Sequence, residues 1–140
     1  RVSIIKMQKR MRKTFLTLTL TMFSFLVFSQ ARLGSTASDI KSEFWESRYK
    51  LKSGYDKDGD YYITIETERA TVMYYFDTDK ICTTTVIAPD NQGALNYYVE
   101  QYNKQYVIVS SKKWKMYSNN GIANIELVYP DGGGYFFVWK

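Results

Sequence analysis

The apolar positions after residue 36 follow two periods, and each change of period marks an element. Ala37, Ile40 and Phe44 fall on one helical face. Thr36 with Asp39 three residues later supplies a start signal, so 36–44 is predicted to be a short helix. Residues 47–53 then alternate, Tyr49 and Leu51 against Arg48, Lys50 and Lys52, as a half-exposed strand does. GYDKDGD, residues 54–60, reads as a turn. Residues 61–67 alternate again, Tyr61, Ile63 and Ile65 against Tyr62, Thr64 and Glu66. Two more strands, 71–76 and 80–87, follow, joined by Asp77, Thr78 and Asp79.

Pro89 ends this series and the same order begins again. Asp90 and Asn91 offer caps for a helix through Lys104, whose Leu95, Tyr98, Val99 and Tyr102 recur at i, i+3, i+4 and i+7, opposite Glu100, Asn103 and Lys104. Strands are predicted at 106–109, at 113–118 with Trp114 and Met116 inward, at 122–129 with Ala123, Ile125, Leu127 and Tyr129 inward, and at 135–139. Asn120–Gly121 is a two-residue hairpin signal, and 130–134 turns the chain into its last strand. The chain therefore reads as helix plus four strands, twice, over 36–88 and 90–140. Both third strands close on aromatic residues near an Asp (Tyr75-Phe76-Asp77; Tyr129-Pro130-Asp131). The expected fold is α+β, an antiparallel sheet with helices packed on one face.

Residues 11–31 have a different pattern. Arg12 and Lys13 precede a 14-residue, mostly apolar run from Phe15 to Phe28, and Ser29, Gln30 and Ala31 follow. A positive start, a short apolar run and small residues at −3 and −1 describe a secretory signal peptide cut after Ala31. A spanning helix needs about 20 apolar residues, and Thr17, Thr19, Thr21 and Ser24 dilute this run further. The stretch resembles the leaders of proteins exported by Gram-negative bacteria that place Gln near the cut. Residues 1–10 are excluded from the fold, with Met7 or Met11 expected as the start. Periplasm or medium is the expected destination, and membrane contact is expected only through the leader during export.

That division changes the meaning of the charge. The chain carries net +5. Six of its 19 basic residues lie in 1–31, which hold no acid, so 32–140 carry 13 basic residues against 14 acidic ones, a net charge of −1. A −1 domain lacks the basic footprint that nucleic-acid binding requires, and Lys112, Lys113 and Lys115 read as a solvated surface. The 109 residues of 32–140 make one domain, large enough to build a core without cross-links. The single cysteine, Cys82, sits in a β-rich run and reads as a buried thiol.

Chemistry is constrained by what is missing. There is no His, which removes imidazole-based triads and His-ligated zinc. No phosphate-loop or dinucleotide glycine pattern occurs, and GGG at 132–134 lacks the lysine and helix such loops need. Asp56, Asp58 and Asp60 match the first three ligand positions of a calcium loop, but Tyr61 and Thr67 stand where Gly and Glu are needed. A polar hairpin turn explains the segment better. No metal or cofactor is expected. A hydrolase using two carboxylates would draw on Glu66, Glu68 or Glu126, of which Glu66 and Glu126 fall on polar strand faces.

The order of two helix-plus-four-strand units behind an export leader, with a Tyr-rich face, resembles the β-lactamase inhibitory proteins. The resemblance covers 32–140 as element order alone, and the disulfides of those inhibitors cannot form here. It implies a protein-binding role. The expectation is therefore a non-enzymatic exported or envelope-associated protein that contacts a protein or glycan through aromatic residues. All 13 Tyr and 3 Trp lie after residue 31. Tyr62, Tyr74, Tyr97 and Tyr117 are the candidates, since the apolar pattern does not bury them. The alternatives are a carrier with an apolar pocket under the Leu95–Tyr98–Val99–Tyr102 stripe, and the carboxylate hydrolase.

Overall fold

A computed structural model describes residues 31–44 and 46–140, which belong to one unit, Ala31–Lys140. The leader and the ten residues before it, Ala31 excepted, lie outside the described residues.

The helix at Ala37–Glu43 (α1) forms where predicted. Thr36 is its N-cap, the hydroxyl accepting from the Asp39 N–H at 3.1 Å. The long helix is Gln92–Gln105 (α3), capped by Asn91, whose side-chain oxygen accepts from the Ala94 N–H at 2.9 Å. Each cap satisfies a backbone donor that the first helical turn leaves open. Between α1 and the sheet lies a single helical turn, Glu46–Tyr49 (α2).

Eight strands follow in the chain: Lys52–Tyr55 (β1), Tyr61–Glu66 (β2), Ala70–Phe76 (β3), Cys82–Pro89 (β4), Val107–Ser110 (β5), Lys113–Ser118 (β6), Gly121–Val128 (β7) and Phe136–Trp139 (β8). They make one antiparallel sheet in the order β1-β2-β3-β4-β8-β7-β6-β5. The chain thus lays down two four-stranded meanders, and their last strands pair with each other, Ile87 opposite Phe137. The fold is α+β, dominated by strands.

Cross-strand partners project to the same side of a sheet. The register Ile63–Tyr74–Thr85–Trp139–Ile125–Trp114 is therefore one row of side chains crossing six strands, and no member is more than 2 % exposed. A second row, Ile65–Val72–Ile87–Phe137–Leu127, runs beside it and is also buried. These rows are the sheet's share of the core. Ile40 and Phe44 add to the core at the α1 end, with Phe44 stacked on Tyr74 at 6.2 Å. Leu95, Tyr98 and Tyr102 add to it from α3. Tyr102 is the hub: its ring lies 5.0 Å from Phe137, 5.5 Å from Trp139 and 5.7 Å from Trp114, and its hydroxyl accepts from the Trp139 indole at 3.2 Å.

Three details differ from the pattern. The strand expected at 47–53 is α2 followed by β1, which starts at Lys52 and takes up Gly54 and Tyr55 from the expected turn. Lys50 adopts φ 47°, a left-handed conformation that interrupts any extended run through it; Tyr49 and Leu51 still pack against the core. Tyr129, expected inward, lies past the end of β7 and is 51 % exposed. In the β6–β7 hairpin Ser118 pairs with Gly121, so Asn119 and Asn120 form the turn.

The two Asp-rich hairpins share one design. Asp56 Oδ1 accepts from the Asp58 and Asp60 N–H groups, and Asp77 Oδ1 accepts from those of Asp79 and Ile81, all at 2.9–3.0 Å. The fourth residue is left-handed in both, Gly59 at φ 84° and Lys80 at φ 60°. Of the expected 54–60 turn, Asp56–Asp60 is thus a turn closed by its own carboxylate, while Gly54 and Tyr55 belong to β1.

Candidate functional site

The other side of the sheet is built from the alternate residues of the same strands. The register Thr64–Met73–Val86–Val138–Glu126–Lys113 crosses the same six strands as the first core row. Its first four members are half-buried and its last two are exposed. Beside it, Tyr62 pairs with Tyr75, rings 6.4 Å apart, and Tyr75 pairs with Thr84. Phe136 and Val128 are a further half-buried cross-strand pair on this side. The outer face therefore has an apolar and aromatic middle on β2, β3, β4 and β8, with Lys113, Lys115 and Glu126 toward the β6 side.

Burial raises the Tyr75 phenol above its ordinary range, helped by the nearby Asp56 and Asp60 carboxylates. It stays protonated at neutral pH and can donate a hydrogen bond.

The four candidate tyrosines do not meet. Tyr62 lies on the outer face. Tyr117 shares that face but stands on β6, five strand steps away, about 24 Å at the usual spacing; it is 58 % exposed. Tyr97 lies on α3, partly exposed, with the Arg69 guanidinium 4.1 Å above its ring. Tyr74 is a correction: it is fully buried in the core row opposite Ile63 and cannot touch a partner. In Val72-Met73-Tyr74-Tyr75-Phe76 both faces of β3 are apolar, so alternation within the strand carries no direction. Pairing to β2 supplies it: Tyr62 faces Tyr75. Tyr75 is the outward tyrosine that the pattern missed.

Glu66 and Glu126 also lie on the outer face, on β2 and β7, four strand steps apart, about 19 Å. A glycosidase pair works at roughly 5–10 Å, so these two cannot act together. Glu66 instead pairs with Lys50 at 3.0 Å on the surface. The space beneath the α3 stripe is filled by the rings of Phe137, Trp139 and Trp114 against Tyr98 and Tyr102. Cys82 is buried and its thiol is raised by that burial, away from the reactive thiolate form.

No protein family, curated protein or solved structure matches the chain.

Proposed function

We propose that this is a non-enzymatic binding protein, exported across the inner membrane of a Gram-negative cell, that holds a protein partner against the outer face of its sheet. In this reading α1 and α3 cover one side of the sheet and leave the other for the partner. The observation that carries it is the paired Tyr62 and Tyr75 beside the half-buried Met73–Val86–Val138 row. Apolar and aromatic side chains that a folded chain leaves partly in water gain most by being covered. Seven strand steps make the sheet about 34 Å wide, a width that suits a protein surface better than one sugar ring.

The two meanders, each preceded by a helix, support the reading of 36–88 and 90–140 as repeats of one unit. That is the element order of the β-lactamase inhibitory proteins, and a protein partner fits it. Export rests on the 11–31 pattern. Ala31 is buried against the core, and its carbonyl accepts from the Thr85 hydroxyl. The expected cut after Ala31 would remove that contact from the mature protein, whereas a cut after Gln30 would keep it.

The test uses the exported protein as bait in envelope extracts, beside Tyr62→Ala/Tyr75→Ala. The pair of substitutions is expected to abolish capture of a protein that the native bait retains, with the fold intact by circular dichroism. Retention of that protein by the double variant would refute the reading. Capture of glycan alone would replace the protein partner with a carbohydrate.

A further inference from the structure

A second site lies away from the outer face, in an open cleft of about 660 Å³ between α1 and the ends of β1, β2 and the β3–β4 turn. Its polar lining includes Ser38, Lys41, Ser42, Tyr55, Tyr61 and Lys80. The volume is that of a small-ligand site. Two ammonium groups converge there on one ring: the Lys80 Nζ is 3.6 Å from the Tyr61 ring centroid and the Lys41 Nζ is 5.3 Å from it. The two charges are therefore no further apart than the sum of those distances, and one carboxylate or phosphate group with a hydrogen bond of about 2.8 Å on each side spans about 8 Å, enough to bridge them at any separation short of that limit. Lys80 also donates to the Tyr55 hydroxyl at 2.9 Å. Among the described residues neither lysine forms an ion pair, although three other cations do.

Holding two like charges together costs energy unless something answers them. The tyrosine faces offset part of that cost. Burial would raise the Tyr61 phenol, yet hydrogen bonding from Lys41 and Ser53 and the charges of Lys41 and Lys80 draw it below its ordinary range. The backbone carries the same message. Lys80 occupies the left-handed position that Gly59 fills in the otherwise equivalent β1–β2 turn. A side chain there is strained by an amount glycine avoids, and strain kept at one of two equivalent turns points to a use for that side chain.

We propose that this cleft binds an oxyanion, a carboxylate or a phosphate or sulfate group, held between Lys41 and Lys80 with the Tyr55 and Ser38 hydroxyls around it, while the Ser42 hydroxyl stays on the Ser38 carbonyl at 2.9 Å. Tyr55, 65 % exposed, offers a ring face for whatever the anionic group is attached to.

The experiment is thermal unfolding of the full chain with inorganic phosphate, sulfate or glucuronate added, against potassium chloride at equal ionic strength. A ligand of the native state raises Tm saturably. The expected result is a saturable rise with at least one oxyanion above the chloride control. Lys41→Met and Lys80→Gly should each reduce that rise by more than half. Lys80→Gly should do so with its ligand-free Tm unchanged or higher, because glycine relieves the strained φ. Lys112→Met should respond as the native protein does, since Lys112 also sits over a tyrosine, 5.0 Å from the Tyr129 centroid, but outside the cleft. A rise with glucuronate alone assigns a sugar carboxylate, and one with phosphate or sulfate alone assigns an ester group. The proposal is overturned if no oxyanion exceeds chloride, or if Lys41→Met and Lys80→Gly respond as the native protein does, which is the general effect of excluded salts.

Discussion

Tyr74 and Tyr75 are neighbours in β3 and live in different media. Tyr74 is fully buried between Ile63 and Thr85 on flanking strands, with Phe44 stacked on it. Tyr75 is half-buried, opposite Tyr62 and Thr84 on the other side of the sheet. One backbone step moves the same side chain from the core to a surface that keeps its apolar character in water. Residue type therefore says little about role in a strand apolar on both faces. The partner strand decides, because period-2 geometry ties each face to its neighbours' faces.

The largest expected effects lie on the core side. Tyr102→Ala and Tyr74→Ala should each destabilise by about 3–5 kcal/mol, the usual cost of deleting a large buried aromatic, measured by chemical denaturation. Tyr75→Ala should cost about 1 kcal/mol or less, as partly exposed substitutions do. Equal costs at 74 and 75 would erase the distinction between the faces.

Alkaline pH probes the same contrast. Burial holds the Tyr102 phenol well above its ordinary range, with the Trp139 hydrogen bond opposing, and pushes Tyr106 up to about 12 from the ordinary 10.0. A raised acid keeps its proton in the folded state after the unfolded chain has lost it. Stability should be unaffected by these groups below pH 10, then fall steadily as pH rises from 10 toward about 12. A denaturation series from pH 8 to 12 checks this, and Tyr106→Phe should flatten part of the fall. An unchanged midpoint through pH 11 would mean these phenols titrate freely.

The smallest effect separates ring from hydroxyl. Among the described residues the Tyr74 hydroxyl is buried without a hydrogen-bond partner. Tyr74→Phe should therefore be neutral or stabilising by up to about 1 kcal/mol. Tyr102→Phe, which loses the bond from Trp139, should be destabilising by about 1 kcal/mol. The opposite order in calorimetry would assign the Tyr74 hydroxyl a partner.

Both caps, the α3 stripe and seven of the eight strands were legible in the sequence, because each rests on a local period or a short-range hydrogen bond. The first strand was not, since Arg48 to Lys52 alternates in polarity while its backbone turns left-handed at Lys50. The sites were less legible. Tyr62 and Tyr117 fell on the outer face as their phases imply, but Tyr74 did not. Lys41, Tyr61 and Lys80 come from three separate elements, and nothing in their spacing announces that they meet. The one signal was Asp77-Thr78-Asp79-Lys80 set beside Asp56-Lys57-Asp58-Gly59: the same turn with lysine where glycine fits.

The central claim is that the outer face does the binding. It is tested most directly by comparing three baits in one envelope extract: the native protein, Tyr62→Ala/Tyr75→Ala, and Tyr97→Ala. Tyr97 is an equally aromatic residue placed on α3 under Arg69. The account predicts that the native and Tyr97→Ala baits retain the same protein and that the double variant loses it while melting cooperatively. Retention by the double variant, or loss through Tyr97→Ala instead, would contradict it.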